Sequence, residues 1–320
     1  MSHTYDIYKL YFQTPMHISI GKLNSYESSD DRLHSDTLKS ALFVSLLQLY
    51  GETEAKAFME AVQVSSAFPF DEQGCWLPRP LSFSFGTMET PDNRKALKKI
   101  QYFTVTQYAQ ILRGDTPKLD LDANGQPRQP KIWEKDVTQR VKINYDDDSE
   151  PFYLEKLYPV NNKTAGLYFI FSGTYDAQKL WAAVRLLGDN GIGLQRGLGN
   201  GQFEPLKAEM TIDFPTNPNA WVALSLYRPK NQAEIETILP NSYYQFLKRG
   251  GWIASPQYDE HLSVRKQAVM MFTEGSVFGF QEQGESHLIK GVVENVRPAW
   301  DDDRLHDVYR DGRAIFLPMI

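Results

Sequence analysis

The stretch of this 320-residue chain with the most distinctive chemistry is Gly188-Asp189-Asn190-Gly191-Ile192-Gly193-Leu194-Gln195-Arg196-Gly197-Leu198-Gly199-Asn200-Gly201. Glycine tolerates positive φ and lets one main chain lie close to another. Successive N–H groups in such a segment can converge on an anion. A P-loop would need Gly-Lys-Ser/Thr at its end, and none is present. A dinucleotide fingerprint needs Gly-x-Gly-x-x-Gly between a strand and a helix. Here the step from Gly193 to Gly197 is one residue too long, and a helix leads in while a strand leads out. Two readings stay open on these residues alone. One is a flexible connection. The other is a loop that tracks a nucleic-acid backbone, with Arg196 supplying charge.

Other side chains invite chemical readings. His17 and His34 sit in loops that could converge, with Lys39 nearby. A histidine acid–base pair and a cation on the scissile phosphate would suit an endoribonuclease. The competing reading makes them polar loop residues or RNA contacts. Lys39 lies near the opening turn of a helix, whose free N–H groups favour anions. Arg140 and Lys142 alternate with Val141 and Ile143 on one arm of an expected hairpin, with Asp146, Asp147 and Asp148 at its tip. They either clamp a strand of nucleic acid or form a solvated face. Asp301, Asp302 and Asp303 are flanked by Arg297 and Arg304. That reads as a solvated charge cluster or a subunit contact rather than a metal site. Cys75 is the single cysteine, which excludes an intrachain disulfide and a multi-cysteine zinc site. Neither Gly-x-Ser-x-Gly nor His-Glu-x-x-His occurs. No cofactor and no metal are expected.

The elements that must position these residues can be read from periodicity. Tyr5 to Phe12 alternates as a strand and ends before Pro15. Ser35 reads as an N-cap with Asp36 in the first turn, and Leu38, Leu42, Leu46 and Leu49 recur at helical spacing up to Gly51. A second helix is expected over about 52–62, then an apolar run over 62–70. Residues 71–160 are less regular, with a charged helical stretch around 94–100 and a polar segment, 114–130, that reads as a mobile insertion. Leu167 to Phe171 has a buried-strand pattern, and a helix from N-cap Asp176 to Gly188 follows. Strands are expected over about 203–214, 221–227, 268–272 and 291–296. The succession fits an α+β fold with two domains, 1–214 and 215–320. The first domain carries an insertion over about 71–160. A net charge of −6 means the whole surface is no polycation, so any nucleic acid must meet a local basic groove or be shared with partners. No run of eighteen apolar residues exists, and the N-terminus lacks the basic and apolar regions of a signal peptide. A reducing, cytoplasmic setting and no membrane are expected.

Several stretches together resemble a known family. The helix, the glycine-rich GDNGIGLQRGLGNGQFE and the following strand resemble the glycine-rich loop of the RAMP superfamily of CRISPR-associated RNA-binding proteins. Thr14-Pro15-Met16-His17-Ile18 resembles its early loop, and His34 to Ala41 its first helix opening. Gln139 to Ile143 with Leu154-Glu155 resembles its central hairpin. Gly250-Gly251-Trp252, Arg265-Lys266, Glu274 to Phe278 and Val308 to Ala314 look most like the fourth-subunit family of the type III-A Csm complex.

The resemblance implies two ferredoxin-like, RRM-related domains and a non-catalytic subunit. That subunit would hold the 5′ handle of the crRNA and contact the large polymerase-like subunit and the repeated backbone subunit. It implies RNA contacts at Gly191, Gly193, Leu194, Gln195, Arg196, Gly197, Gly199 and Gly201, and at His17, Lys39, Arg140 and Lys142. The alternatives are a standalone RAMP endoribonuclease that processes precursor crRNA, and the equivalent handle-binding subunit of a type III-B complex.

Overall fold

A computed structural model describes residues 1–20, 26–142, 149–253, 264–280, 289–298 and 306–320. The aspartates at 146–148 and 301–303 lie outside them. The N-terminal part opens with β1 (Ser2–Phe12), α1 (Ser35–Tyr50), α2 (Glu52–Ala61), β2 (Val62–Val64), β3 (Phe68–Asp71) and β4 (Gly74–Pro78). It continues through α3 (Arg94–Lys98), β5 (Tyr102–Thr104), α4 (Val105–Leu112) and a hairpin of β6 (Trp133–Lys142) and β7 (Glu150–Pro159). Then come β8 (Gly166–Gly173), α5 (Ala177–Asn190) and β9 (Phe203–Asp213). The C-terminal part holds β10 (Ala220–Ala223), α6 (Gln232–Ile238), β11 (Phe246–Arg249), β12 (Val269–Phe272), β13 (Val277–Gly279), β14 (Val293–Asn295), β15 (Tyr309–Asp311) and β16 (Phe316–Met319).

The fold is α+β. Its main sheet runs β5-β4-β3-β8-β1-β9, with β2 also on β8, and its pairs are antiparallel. Within it, β1, α1, β3, β8, α5 and β9 follow the β-α-β-β-α-β succession of a ferredoxin-like unit. Alternation along β1 explains the two layers. Tyr8, Leu10 and Phe12 face α1 and α5, meeting Leu38, Leu42 and Leu46 from one helix and Leu180, Val184 and Leu187 from the other. Ile7 faces the opposite side, where Tyr108 and Leu112 of α4 join Val222, Leu224 and Leu317 of the C-terminal part. One core therefore crosses the linker at 215. Among the described residues the C-terminal part has a single helix and three small sheets, β13-β10-β16, β11-β12 and β14-β15. No helix among the described residues is long and apolar enough to cross a membrane.

Three local expectations change. The apolar run over 62–70 splits into β2 and β3, because Ser65 turns inward and its hydroxyl accepts the Ile170 N–H at 2.8 Å. The segment 114–130 is tied back rather than free. The Gln129 side chain accepts the N–H groups of Gln101 and Tyr102 at 2.8 and 3.0 Å, and Lys118 N–H donates to Gln110 Oε1 at 3.2 Å. The N-cap of α1 is His34, while the Ser35 hydroxyl accepts the Leu226 N–H at 3.0 Å.

That last contact belongs to a buried polar cluster joining the two parts. Asp36 accepts Arg249 Nε and Nη2 at 2.9 Å each and also Arg310 Nη1. Burial would raise the Asp36 pKa, but the two guanidiniums outweigh it and hold the carboxyl well below the ordinary range. Lys39 Nζ pairs with Asp311 and donates to the carbonyls of Met59 and Val62. Burial brings its pKa down to about 8 against the pull of Asp311. The His34 ring lies 2.8 Å from Glu274 Oε1 and 3.4 Å from Asp30 Oδ2. Burial disfavours its charge, yet the two carboxylates push its pKa up to about 9.

A raised histidine pKa stabilises the fold fully below the unfolded value of about 6.5. The contribution is lost as pH rises through about 9. Urea midpoints of wild type should therefore fall across that window, and His34→Gln should flatten the decline. Parallel curves for the two proteins would remove His34 as the source.

Candidate nucleic-acid interface

Helix α5 begins at Asp176, whose Oδ1 accepts the N–H groups of Gln178 and Lys179 at 2.8 and 3.1 Å. Gly188, expected to end it, lies inside the helix. A Cβ there would stand 2.4 Å from the Phe203 carbonyl oxygen, so glycine is needed for the close packing of α5 on β9. The helix stops instead at Gly191, with φ of 74°.

From there the chain is stapled down at both ends. Leu194 N–H donates to His17 O at 2.8 Å, Gly201 N–H to Pro15 O at 2.9 Å, and Ile192 N–H to Gly201 O at 3.0 Å. The Thr14 hydroxyl accepts the Gln202 N–H at 2.9 Å. Three glycines serve this docking. A Cβ at Gly191, Gly193 or Gly201 would fall 2.3, 2.5 or 1.9 Å from the carbonyl oxygen of Asn200, His17 or Ile192. Of these expected RNA contacts, Gly191 and Gly201 are buried against the protein itself, while Gly193 is half-buried and also lines the neighbouring cleft; the docking removes the flexible-connection reading.

The lip between the staples is different. Gln195 is left-handed at φ 61°, a 3-10 turn covers Arg196 to Leu198, and Gly199 closes it at φ 76°. Among the described residues, the N–H groups of Gln195, Arg196 and Gly197 have no acceptor. A left-handed residue followed by a right-handed turn is the backbone pattern of an anion nest. Gly197 has open space where a side chain would sit. Arg196 is exposed and makes no ion pair among the described residues. Leu194 and Leu198 are exposed as well. The lip borders an open cleft of about 650 Å³, whose far wall is Gln48, Asp189 and Asn190.

The hairpin reaches the same place. Buried Asn200 donates from Nδ2 to Gln195 O at 3.1 Å and accepts Lys156 Nζ at 3.0 Å. Lys156 has its pKa lowered, first by burial and then by the Arg140 guanidinium. The register pairs Arg140 with Phe152 and Asp136 with Lys156, which puts Arg140 and Lys156 on one face. Lys142 ends that strand opposite Glu150. Arg140 is exposed, so Arg196, Lys156 and Arg140 form the cationic border of the interface.

The remaining expectations are corrected. His17 is 1% exposed, its Nδ1–H donates to Glu155 O at 2.6 Å, and Nε2 has no partner among the described residues. His17 holds the early loop against β7 and offers no surface to a strand. Lys39, also 1% exposed, serves Asp311 rather than a phosphate. His34 faces Glu274 and Asp30, so the two histidines do not converge on one site. Lys156 and Asn200 were not singled out by sequence. The segment linking the hairpin arms is long, so no turn motif fixes the register that brings Lys156 beside Arg140.

Residues 216–319 match the family model for the CRISPR Csm4 C-terminal domain. A Csm4 protein of Mycobacterium tuberculosis (strain ATCC 25618 / H37Rv) is 29% identical over 301 residues, covering 92% of each chain. A Csm4 protein of Thermococcus onnurineus (strain NA1) is 26% identical over 278 residues, covering 82% of this chain and 87% of the relative. The fold matches a chain of the Csm3–Csm4 subcomplex of a type III-A interference complex, with TM-score 0.63 and 20% identity, over 99% of this chain and 100% of that one. It equally matches a chain of the Csm1–Csm4 cassette crystallised with cA4, at TM-score 0.63 and 20% identity, over 99% and 98%. The sheet and the stapled glycine loop therefore stand in a fold shared with Csm4 chains of CRISPR type III-A assemblies. Its C-terminal third matches the Csm4 family model, and over most of its length the chain is similar to Csm4 proteins.

The two kinds of glycine should separate on substitution. Gly201→Ala should lower stability by about 1–3 kcal/mol through overpacking at a left-handed position. Gly197→Ala should stay within about 0.5 kcal/mol of wild type, as surface changes do. Denaturant melts of both variants check this, and equal losses would refute the division.

Proposed function

We propose that this chain is a non-catalytic subunit of a type III-A CRISPR effector complex that grips the 5′ handle of the crRNA. In that role it bridges the large polymerase-like subunit to the backbone subunits. The pairing of Csm4 with Csm1 and with Csm3 in the matched crystal structures supports those partners. A single cysteine suits a reducing, cytoplasmic setting.

The observation that carries the reading is the lip itself. Three main-chain N–H groups without acceptors and one unpaired arginine, among the described residues, stand at the edge of an open cleft, beside Lys156 and Arg140. A single RNA strand presents phosphates to such donors and leaves its bases free to be read elsewhere. With Gly197 bare, the ribose–phosphate can lie on the main chain without meeting a side chain. The non-catalytic reading draws support from the histidines. A general acid or base must reach its substrate at hydrogen-bond distance. His17 is sealed, and His34 is held between two carboxylates.

Arg196→Ala should weaken binding of a handle-bearing RNA by about tenfold, the scale of one charge-assisted hydrogen bond. The log–log salt slope should shrink by about 0.7 for the lost phosphate contact. Filter binding across a salt series measures both, and an unchanged affinity counts against the lip. Incubating the protein with repeat-bearing precursor RNA, without divalent metal, should leave the RNA intact. Cleavage abolished by His17→Ala or His34→Ala would replace this reading with the endoribonuclease.

A further inference from the structure

The basic stretch Arg94 to Lys99 plays no part in the glycine lip. Arg94 is spent on Glu89 at 2.6 Å. Lys98 and Lys99 are exposed and make no ion pair among the described residues. Each borders a different cavity. Lys98 lines one of about 340 Å³ between the N-terminal and C-terminal parts, together with Arg32, Arg79 and buried Glu274. Lys99 lines one of about 280 Å³, together with Lys131, Lys135 and Trp133 at the hairpin root. Gln101 and Tyr102 form a wall of both cavities, so the two adjoin. That wall is braced. Gln129 accepts both of its N–H groups, Gln129 Nε2 donates to Tyr102 O at 2.9 Å, and Arg32 Nη2 donates to Gln101 Oε1 at 3.3 Å.

We propose that these adjoining cavities are a second binding path for single-stranded RNA, with backbone phosphates along Arg32, Lys98, Lys99 and Lys131 and bases turned inward against Tyr102 and Trp133. The path rests on the RNA-binding reading above and extends it to a separate surface. A groove that binds single strands combines cations tracking the backbone with aromatic platforms for the bases, each platform worth about 1–3 kcal/mol. Both ingredients are present here, on a protein whose net charge is −6.

The carboxylates of the path favour RNA over an acidic protein segment. Glu274 lies in the first cavity wall and Asp31 in the second. Glu274 stays ionised: burial opposes its charge, but His34 and Ser66 overcome that and lower its pKa. An acidic peptide would set its own carboxylates against these two. An RNA strand with its phosphates on the rim turns base amino groups toward them, and those groups are hydrogen-bond donors.

The test compares the full chain with Lys98→Glu/Lys99→Glu/Lys131→Glu, three exposed positions whose change leaves the core untouched. The probe is a handle-bearing single-stranded RNA, read by filter binding across salt and by ultraviolet crosslinking with peptide mapping. The variant should bind at least tenfold more weakly at low salt, with a slope reduced by about 2, at about 0.7 per phosphate contact. Wild-type crosslinks should map to peptides holding Tyr102 or Trp133. If wild type binds and the variant matches it in affinity and slope, the path is overturned while the glycine lip stands. If the variant keeps its RNA affinity but no longer assembles with its partner subunits, the surface belongs to a protein and the RNA path is overturned. If wild type binds no RNA, the function proposed above falls and takes the path with it.

Discussion

Close main-chain approach at three glycines is the constraint on which the candidate interface depends. The Ile192 carbonyl oxygen stands where a methyl group on Gly201 would have to go, and His17 and Asn200 crowd Gly193 and Gly191 in the same way. Because those contacts are backbone to backbone, they fix the ends of the glycine segment without using any side chain. The lip between them is then presented in a set conformation, and little ordering entropy remains to be lost when a strand arrives.

The lip is held from a second direction by the hairpin. Asn200 links the Gln195 carbonyl to Lys156, and Lys156 stands beside Arg140. Two cations so close together repel, and that repulsion is relieved when an anion sits between or above them. The early loop completes the arrangement through His17, which anchors the loop to Glu155 while its carbonyl accepts the Leu194 N–H. A residue type associated with catalysis is here a brace.

Elements with strong period were legible in the sequence. The β1 alternation, the Leu38-Leu42-Leu46 stripe, the Gly51 stop and the Asp176 cap all fall where local rules put them. The glycine-rich segment was legible as a candidate site, but its division into packing and presenting glycines was not. That division depends on which carbonyl lies opposite each Cα, and the opposing residue can be far away in the chain, as His17 is from Gly193. Lys39 misled for the same reason. Near a helix start it reads as a phosphate ligand, yet its partner Asp311 is 272 residues downstream. Gly188 was read as a stop because a sequence cannot distinguish a glycine that ends a helix from one that admits a neighbouring strand.

The cluster around Asp36 bears on how the chain can be divided. Its contacts join residues 213 and 274 positions apart, and those of His34 and Lys39 span 240 and 272. The stretch recognised as a family domain begins at 216. Cut free at that point, it would carry Arg249 and Arg310 without their counter-charge and would bare Val222, Leu224 and Leu317 to water. The inherited module and the folding unit therefore have different borders, and neither portion is equipped to stand as an autonomous body.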